Sequence, residues 1–373
     1  MDRHLHIVCM DVPYPVDYGG VFDIFYKIKT LSEAGIRIHL HCFEYGRGQQ
    51  AALNRYCAEV LYYKRVTGLR GFSLTLPYIV SSRKNIKLLN NLAKDDYPIL
   101  VEGIHCTALL WDDRFKSRKI LLRLFNVEYR YYHALYKTSR SIFKKIYFAY
   151  ERRLLYRYEK RTATRAFIVA LSEQDALVYR NEFSADKIVY LPTFLPFEEV
   201  LTKDGTGDFC LFHGNLSVPE NESVALWLLK KVFNDLKISL VIAGKKPSKK
   251  LSRASAKRAN THLVVNPSDA EMQDLITKAQ INILPSFNST GVKLKLLNAL
   301  FNGRHCLANE AAMLGTSLEG ACHLGTDEKD FKKIVTQLYH HPFEEKDRQL
   351  RKFLLQGTYN NSFNAKQLIQ WIW

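Results

Sequence analysis

The sequence predicts an α/β protein of two doubly wound domains, each a parallel sheet flanked by helices, the pair facing a central cleft. Three observations predict it. Short β-like apolar runs alternate with stretches of helical spacing, and that alternation stops near residue 200 and starts again. The length of 373 residues also exceeds what one ordinary core organises. Hydrophobic residues make up 47% and charged residues 24%, the balance of a folded globular chain.

In the first series, residues 6–10 read as a strand, 21–34 as a helix and 36–43 as a second strand. Further strands follow at 99–104, 120–125, 166–171 and 187–191. Runs that are apolar throughout suit parallel strands buried on both faces. A stretch rich in Pro, Lys, Asp and Gly at 192–208 ends the series. The second series has strands at 209–213, 238–243, 263–265, 281–284 and 305–308. Its helices are expected at 221–233, 270–279, 292–301 and 329–339. Such alternation implies right-handed crossovers, with ligands beyond the carboxyl ends of the strands. Residues 139–165 read as one long helix, with Phe143, Tyr147, Tyr150, Leu154 and Tyr158 as its buried stripe.

The net charge is +17, and it is concentrated. Between Arg114 and Arg165 lie sixteen Lys and Arg against three acids, Glu128, Glu151 and Glu159. This is either a solvated helix face or a docking surface for an anionic partner such as a membrane face or a phosphorylated substrate. Nucleic acid is not the expected partner, because no recognition-helix, RNA-binding or basic–aromatic strand signature accompanies the charge. The seven cysteines are scattered without a CxxC pair and read as free thiols in a reducing compartment. No apolar run reaches the ~18–20 residues that span a bilayer, and residues 1–10 read as a strand, not a leader. The expectation is a cytoplasmic protein.

Two loops have direct chemical readings. Pro13-Tyr14-Pro15-Val16-Asp17-Tyr18-Gly19-Gly20 lies between a strand and a helix. Gly19 and Gly20 let the backbone approach a ligand, and the following helix offers unpaired amides to an anion. Ser289, Thr290 and Gly291 lead into another helix, whose first-turn amides and dipole suit a nucleotide diphosphate. Lys293 or Lys295 adds a charge there to stabilise the departing diphosphate, or points to water as helix lysines commonly do.

Taken together, several stretches resemble the retaining GT-B glycosyltransferases of family four. They are the Pro-x-Asp-x-Gly-Gly loop, Phe125-Asn126-Val127-Glu128 with the basic aromatic helix ending at Tyr158-Glu159-Lys160, and Leu171-Ser172-Glu173-Gln174-Asp175. To these add Phe212-His213-Gly214-Asn215-Leu216-Ser217-Val218-Pro219-Glu220-Asn221, and Leu284-Pro285-Ser286 with Thr290 to Leu300 and Gly303. The resemblance implies two Rossmann-like domains: an acceptor-binding one at 1–197 and a nucleotide-sugar-binding one at 198–360. It also implies that the last helix, 361–373, packs back on the first domain, with Trp371 and Trp373 packed. The donor-binding residues it implies are Gly19, Gly20, Gly214, Asn215, Lys245, Thr290, Gly291, Val292, Lys293, Lys295 and Asn298. Thr290 and Asn298 stand where the family usually has two glutamates eight positions apart. Asn298 still donates and accepts hydrogen bonds but lacks the charge that strengthens a ribose contact. The usual Arg and Lys pair is not evident after the strand at 209–213, and Lys245 and Lys246 are its substitutes.

The resemblance implies hexose transfer with retention from a nucleotide-diphosphate sugar to a glycan or lipid-linked acceptor. The leaving diphosphate itself takes the acceptor proton. Glu128 and His105 are the candidate catalytic residues, with Glu102 a weaker one. For His105 the alternative is a core histidine, and for Glu128 a helix cap or a pair with Arg130. No metal or other cofactor is expected: GT-B enzymes neutralise the diphosphate with helix ends and basic side chains, and Asp112-Asp113 lacks the spacer of a metal-binding Asp-x-Asp. A second expectation, from Thr290 and Asn298, is a non-catalytic GT-B protein binding a glycan or a partner enzyme.

Overall fold

The computed structural model describes every residue except 1, 140, 289–290 and 317. Among the described residues the chain forms two compact units, 1–196 with 359–373, and 197–358.

The first unit contains strands β1 (Arg3–Cys9), β2 (Ile36–Glu44), β3 (Glu59–Lys64), β4 (Ile99–Glu102), β5 (Ile120–Leu124), β6 (Phe167–Ala170) and β7 (Ile188–Tyr190). They form one parallel sheet in the order β3-β2-β1-β4-β5-β6-β7. The order reverses beside β1, which creates a switch point between the ends of β1 and β4. Its helices are α1 (Gly19–Glu33), α2 (Tyr78–Ser81), α3 (Ile86–Leu92), α4 (Glu128–Thr138), α5 (Ile142–Ala163) and α6 (Glu173–Phe183).

The second unit repeats the plan with β8 (Cys210–Asn215), β9 (Leu240–Lys245), β10 (Thr261–Val265), β11 (Ile281–Ile283), β12 (His305–Ala308) and β13 (His323–Leu324). Their order is β10-β9-β8-β11-β12-β13, again parallel throughout. Its helices are α7 (Pro219–Trp227), α8 (Lys249–Ala256), α9 (Asp269–Lys278), α10 (Leu294–Asn302), α11 (Glu310–Met313), α12 (Glu328–Tyr339) and α13 (Glu345–Thr358). The chain ends with α14 (Asn361–Ile372), which contacts α1 in the first unit. Trp371 is half-buried beside Phe167, whereas Trp373 is 45% exposed under Arg3.

Local chemistry explains where elements stop. Pro219 opens α7, and Ser268 with Glu271 forms a capping box on α9. At Gly244 an added Cβ would lie 1.9 Å from the carbonyl oxygen of Gly214, so the close pairing of β8 and β9 near their ends requires glycine at this position.

The single long helix expected at 139–165 is α5, capped by Ser141 and packed on the separate helix α4. Its buried stripe is corrected. Phe143 is 85% exposed, while Glu151, Leu154, Leu155, Tyr158 and Glu159 face inward. Two partnered carboxylates lie in the buried face because α5 packs against polar groups of α4, α2 and α6. Glu151 accepts from the amide of Tyr78 at 2.8 Å, and Glu159 from those of Glu128 and Tyr129 at 2.9 Å.

Candidate functional site

In the first unit the carboxyl ends of β1, β4 and β5 bring together residues far apart in sequence. β1 leads to Asp11, whose carboxylate accepts from the amide of Val12 and the hydroxyl of Tyr18, both at 2.8 Å. Tyr18 precedes Gly19 and Gly20, which open α1, and its own side chain does not cap the helix amides. Arg47 braces this loop by pairing with Asp17 at 2.9 Å and lying over the Tyr18 ring.

β4 ends at Glu102, and the next residue, Gly103, has φ +83°. That conformation favours glycine, and an added Cβ would also sit 2.9 Å from Nδ1 of His105. His105 is half-buried in the following turn, with Nδ1 shielded and unpartnered among the described residues. Burial, followed by the nearby charges of Arg83 and Arg65, holds its pKa well below the ordinary value, so the ring is neutral. Arg83 is buried and donates to the carbonyls of Met10 and Ile79.

β5 leads through Asn126 to Glu128, in the first turn of α4. Burial raises the carboxyl pKa to about 7; Asp175 adds to the rise, while a hydrogen bond from Asn126 and the charge of Arg83 oppose it. Asp175 itself is pushed up to about 6 by burial. Glu128 does not pair with Arg130, which binds Glu182 instead. The α4 cap is Glu159, not Glu128. Asp11, Arg83, His105, Glu128 and Asp175 are thus grouped at strand ends, and two of these acids titrate near neutrality.

Glu102 is not at an open site. It is fully buried and ion-paired with Lys27 at 2.9 Å, and Lys27 pairs with Asp23 at 2.7 Å. Arg123 completes the group, 3.1 Å from Asp23, and donates to the carbonyls of Leu191 and Pro192. Four balanced charges therefore tie α1, β4, β5 and the end of the first series together. Its strand-end position alone had suggested a weaker catalytic candidate; pairing assigns it to the core.

In the second unit the ends of β8, β9 and β11 carry the corresponding residues. Gly214 and Asn215 end β8, where the Asn215 carbonyl accepts from Asn221 Nδ2 at 2.9 Å. Lys295, in the first turn of α10, donates to Asn221 Oδ1 at 3.1 Å and lies over the Phe212 ring. Lys293, just before the helix, reaches the carbonyl of Gly291 at 3.1 Å. Burial lowers the pKa of both lysines, that of Lys295 to about 8, against the opposing pull of Glu220. Gly291 has φ +69°, and Val292 is half-buried beside it. Lys245 ends β9 with an exposed side chain. Thr290 lies outside the described residues.

Asn298 faces α9 and its own helix. Its Nδ2 donates to Gln273 Oε1 at 3.2 Å, and its Oδ1 accepts from Asn302 at 2.9 Å. Two residues were missed by the sequence reading. Glu220 accepts from Ser286 at 2.5 Å. His213 is buried beside Lys295, its Nε2 unpartnered among the described residues, with burial lowering its pKa to about 3. An acid in the first turn after Pro219 and a histidine at a strand end were the available signals. Among the described residues no three His, Cys, Asp or Glu side chains converge as metal ligands, and no helix is long and apolar enough to cross a membrane.

Solved structures resemble this chain over its whole length. A variant of S. aureus TarM in complex with fondaparinux, α-GlcNAc-glycerol and UDP matches with a TM-score of 0.67 at 10% identity, covering 100% of each chain. Anabaena HepE in complex with UDP and glucose matches at 0.66 and 11%, covering 99% of this chain and 98% of that one. A Burkholderia xenovorans α,α-trehalose-phosphate synthase (UDP-forming) matches at 0.66 and 9%, covering 100% of both. At such identities the likeness speaks for the fold, which is GT-B with Rossmann-like sheets. No protein-family model matches the chain. In sequence, an uncharacterized 44.6 kDa protein in the cps region of Klebsiella pneumoniae is 31% identical over 333 residues, 83% of this chain and 84% of that protein. The chain belongs to the family of that Klebsiella protein.

Proposed function

We propose that the protein is a retaining hexosyltransferase, moving a hexose from a nucleotide-diphosphate sugar to a glycan or lipid-linked acceptor in surface polysaccharide synthesis. The observation that carries the reading is the pair Lys293 and Lys295 at the start of α10, half-buried at the strand ends of the second unit. Such a pair beside a helix N-terminus suits a diphosphate and its growing charge as the glycosyl bond breaks. UDP in the TarM and HepE structures supports the donor class, and the cps-region relative supports the polysaccharide. In the first unit Glu128 and His105 are the groups proposed to face the reacting sugar. The proton of the acceptor hydroxyl passes to the leaving diphosphate as the new glycosidic bond forms and the old one breaks. Working on a lipid-linked acceptor would place the protein at the inner face of the membrane.

The test is a thermal-shift screen against nucleoside diphosphates and their sugars, followed by turnover with the stabilising donor. Ligand at ~100 times its Kd adds about 2.7 kcal/mol. Selective stabilisation by one nucleotide and an α-configured product from an α-configured donor support the proposal; an inverted product removes retention. A second reading rests on Asn298, whose polar atoms already serve Gln273 and Asn302. It is a non-catalytic GT-B protein that binds a glycan or a partner enzyme. Absence of any nucleotide shift would favour it.

A further inference from the structure

Large apolar side chains lie open to solvent on two neighbouring segments of the first unit. Loop 66–76 exposes Leu69 by 92%, Leu74 by 73% and Phe72 by 44%. The first turns of α5 expose Ile142 by 72%, Phe143 by 85% and Ile146 by 64%. The segments meet at Tyr150. Its hydroxyl donates to the carbonyl of Leu74 at 2.7 Å, and its ring stacks on Phe72. Ile142, Phe143, Ile146 and Tyr150 recur at three- and four-residue spacing, so one helix face leads from the exposed turns to the loop. Burying this surface would remove from water the largest apolar groups on these segments.

The charge around the patch has one sign. Residues 60–94 and 129–150 contain no Asp or Glu. Lys144 is interleaved with the exposed apolar residues, and Arg70, Arg152 and Arg153 flank them, all exposed. The two acids of α5, Glu151 and Glu159, face inward and leave the outer face cationic. Protein interfaces deplete lysine at their cores. An anionic bilayer instead accepts apolar side chains at the acyl boundary while lysine and arginine reach the phosphates.

We propose that loop 66–76 and the N-terminal turns of α5 dock this protein on an anionic phospholipid bilayer. Ile142, Phe143, Ile146, Leu69 and Leu74 enter the acyl boundary, and Arg70, Lys144, Arg152 and Arg153 contact the headgroup phosphates. This deepens the lipid-linked part of the proposed function. Arg83, which follows the docking loop in sequence, is buried and donates to the carbonyl of Met10 at 2.9 Å, linking this segment to the end of β1.

The experiment is sedimentation of the full chain with vesicles of phosphatidylcholine alone or mixed with phosphatidylglycerol. Wild type should pellet with the anionic vesicles and far less with neutral ones. F143S/I146S and L69S/L74S should each weaken partitioning by about tenfold or more. K144E/K145E should reduce the preference for anionic lipid. All these positions lie outside the core, and unchanged melting temperatures and nucleotide-diphosphate shifts would show the variants folded. Absent binding, equal binding to both vesicles, or undiminished binding of the apolar variants overturns the proposal. Self-association of wild type abolished by F143S/I146S, without vesicle binding, would overturn it in favour of a second copy. Turnover with a soluble acceptor is read separately, so loss of docking and loss of the transferase reading are distinguishable.

Discussion

Lys27 on α1 and Glu102 at the end of β4, seventy-five residues apart, form an ion pair of 2.9 Å in which neither side chain is exposed. Asp23 and Arg123 close the group, so the net charge buried is zero. Burial pushes the Glu102 carboxyl up while Lys27 draws it down, and Arg123 and Lys27 hold Asp23 below its ordinary value despite burial. Removing one member strands the others. K27M should destabilise the first unit by about 3–5 kcal/mol, because it leaves a buried negative charge unmatched. K27M/E102Q should recover a substantial part. Urea-unfolding midpoints of the two variants check this, and equal losses would mean that the charges do not act as a unit.

Glu159 sets a pH dependence of stability. Burial raises its pKa to about 8, although the amides of Glu128 and Tyr129 and the Tyr179 hydroxyl favour the ionised form. A carboxyl raised in the fold binds its proton more tightly there than in the unfolded chain, whose value is near 4.5. Its stabilisation is therefore full below about 4.5 and is lost as pH rises toward about 8. E159Q cannot titrate. Relative to wild type it should gain on the order of a few kcal/mol between about pH 5 and pH 8. A constant difference between the two unfolding curves would refute the assignment.

Gly103 is required for two reasons, its φ of +83° and the closeness of His105. G103A should cost about 1–3 kcal/mol and displace the imidazole. If turnover falls more than in a variant of equal instability elsewhere, His105 placement matters to the reaction. A loss no larger than that control would leave only the backbone effect.

Lys295 should govern diphosphate affinity. K295M removes a charge-assisted contact, so binding of a nucleoside diphosphate should weaken roughly tenfold or more, while a nucleoside itself is little affected. Because burial lowers its pKa to about 8, the ammonium is lost as pH rises through that value. Wild-type diphosphate affinity should fall above about pH 8, and that fall should be absent in K295M. Calorimetric titrations at several pH values would decide it.

Glu128, with a pKa of about 7, should appear in the kcat/KM profile. As an ionised carboxylate beside a cationic transition state, it makes activity rise as pH increases through about 7. E128Q should be slower and should lack that limb. A limb unchanged in E128Q would transfer the ionisation to another group, such as the leaving diphosphate.

Most of the fold was legible because its signals are local. Unbroken apolar strands such as Ile120–Leu124, the periodicity of 21–34 and the restart after 192–208 all persist in the folded chain. Among the strands, β3 and β13 escaped notice, β3 because its Glu-Val-Leu-Tyr-Tyr-Lys pattern is only half-buried at a sheet edge and β13 because it is two exposed residues at the other unit's edge. The glycines and lysines of the candidate sites were also readable, since a strand end followed by glycine or by a helix start is a sequence feature.

What sequence alone determined here is the alternation of strands and helices, its two rounds and the chemical types gathered at the strand ends. Only tertiary structure decided which charges serve the core. Glu102 and Glu128 both follow apolar strands, yet one pairs with Lys27 and the other titrates beside Asp175. Likewise, the three acids of the basic segment all turn inward, and Phe143 turns outward. Periodicity defines the faces of a helix, but which face is buried, and whether a buried charge finds a partner, depends on residues distant in the chain.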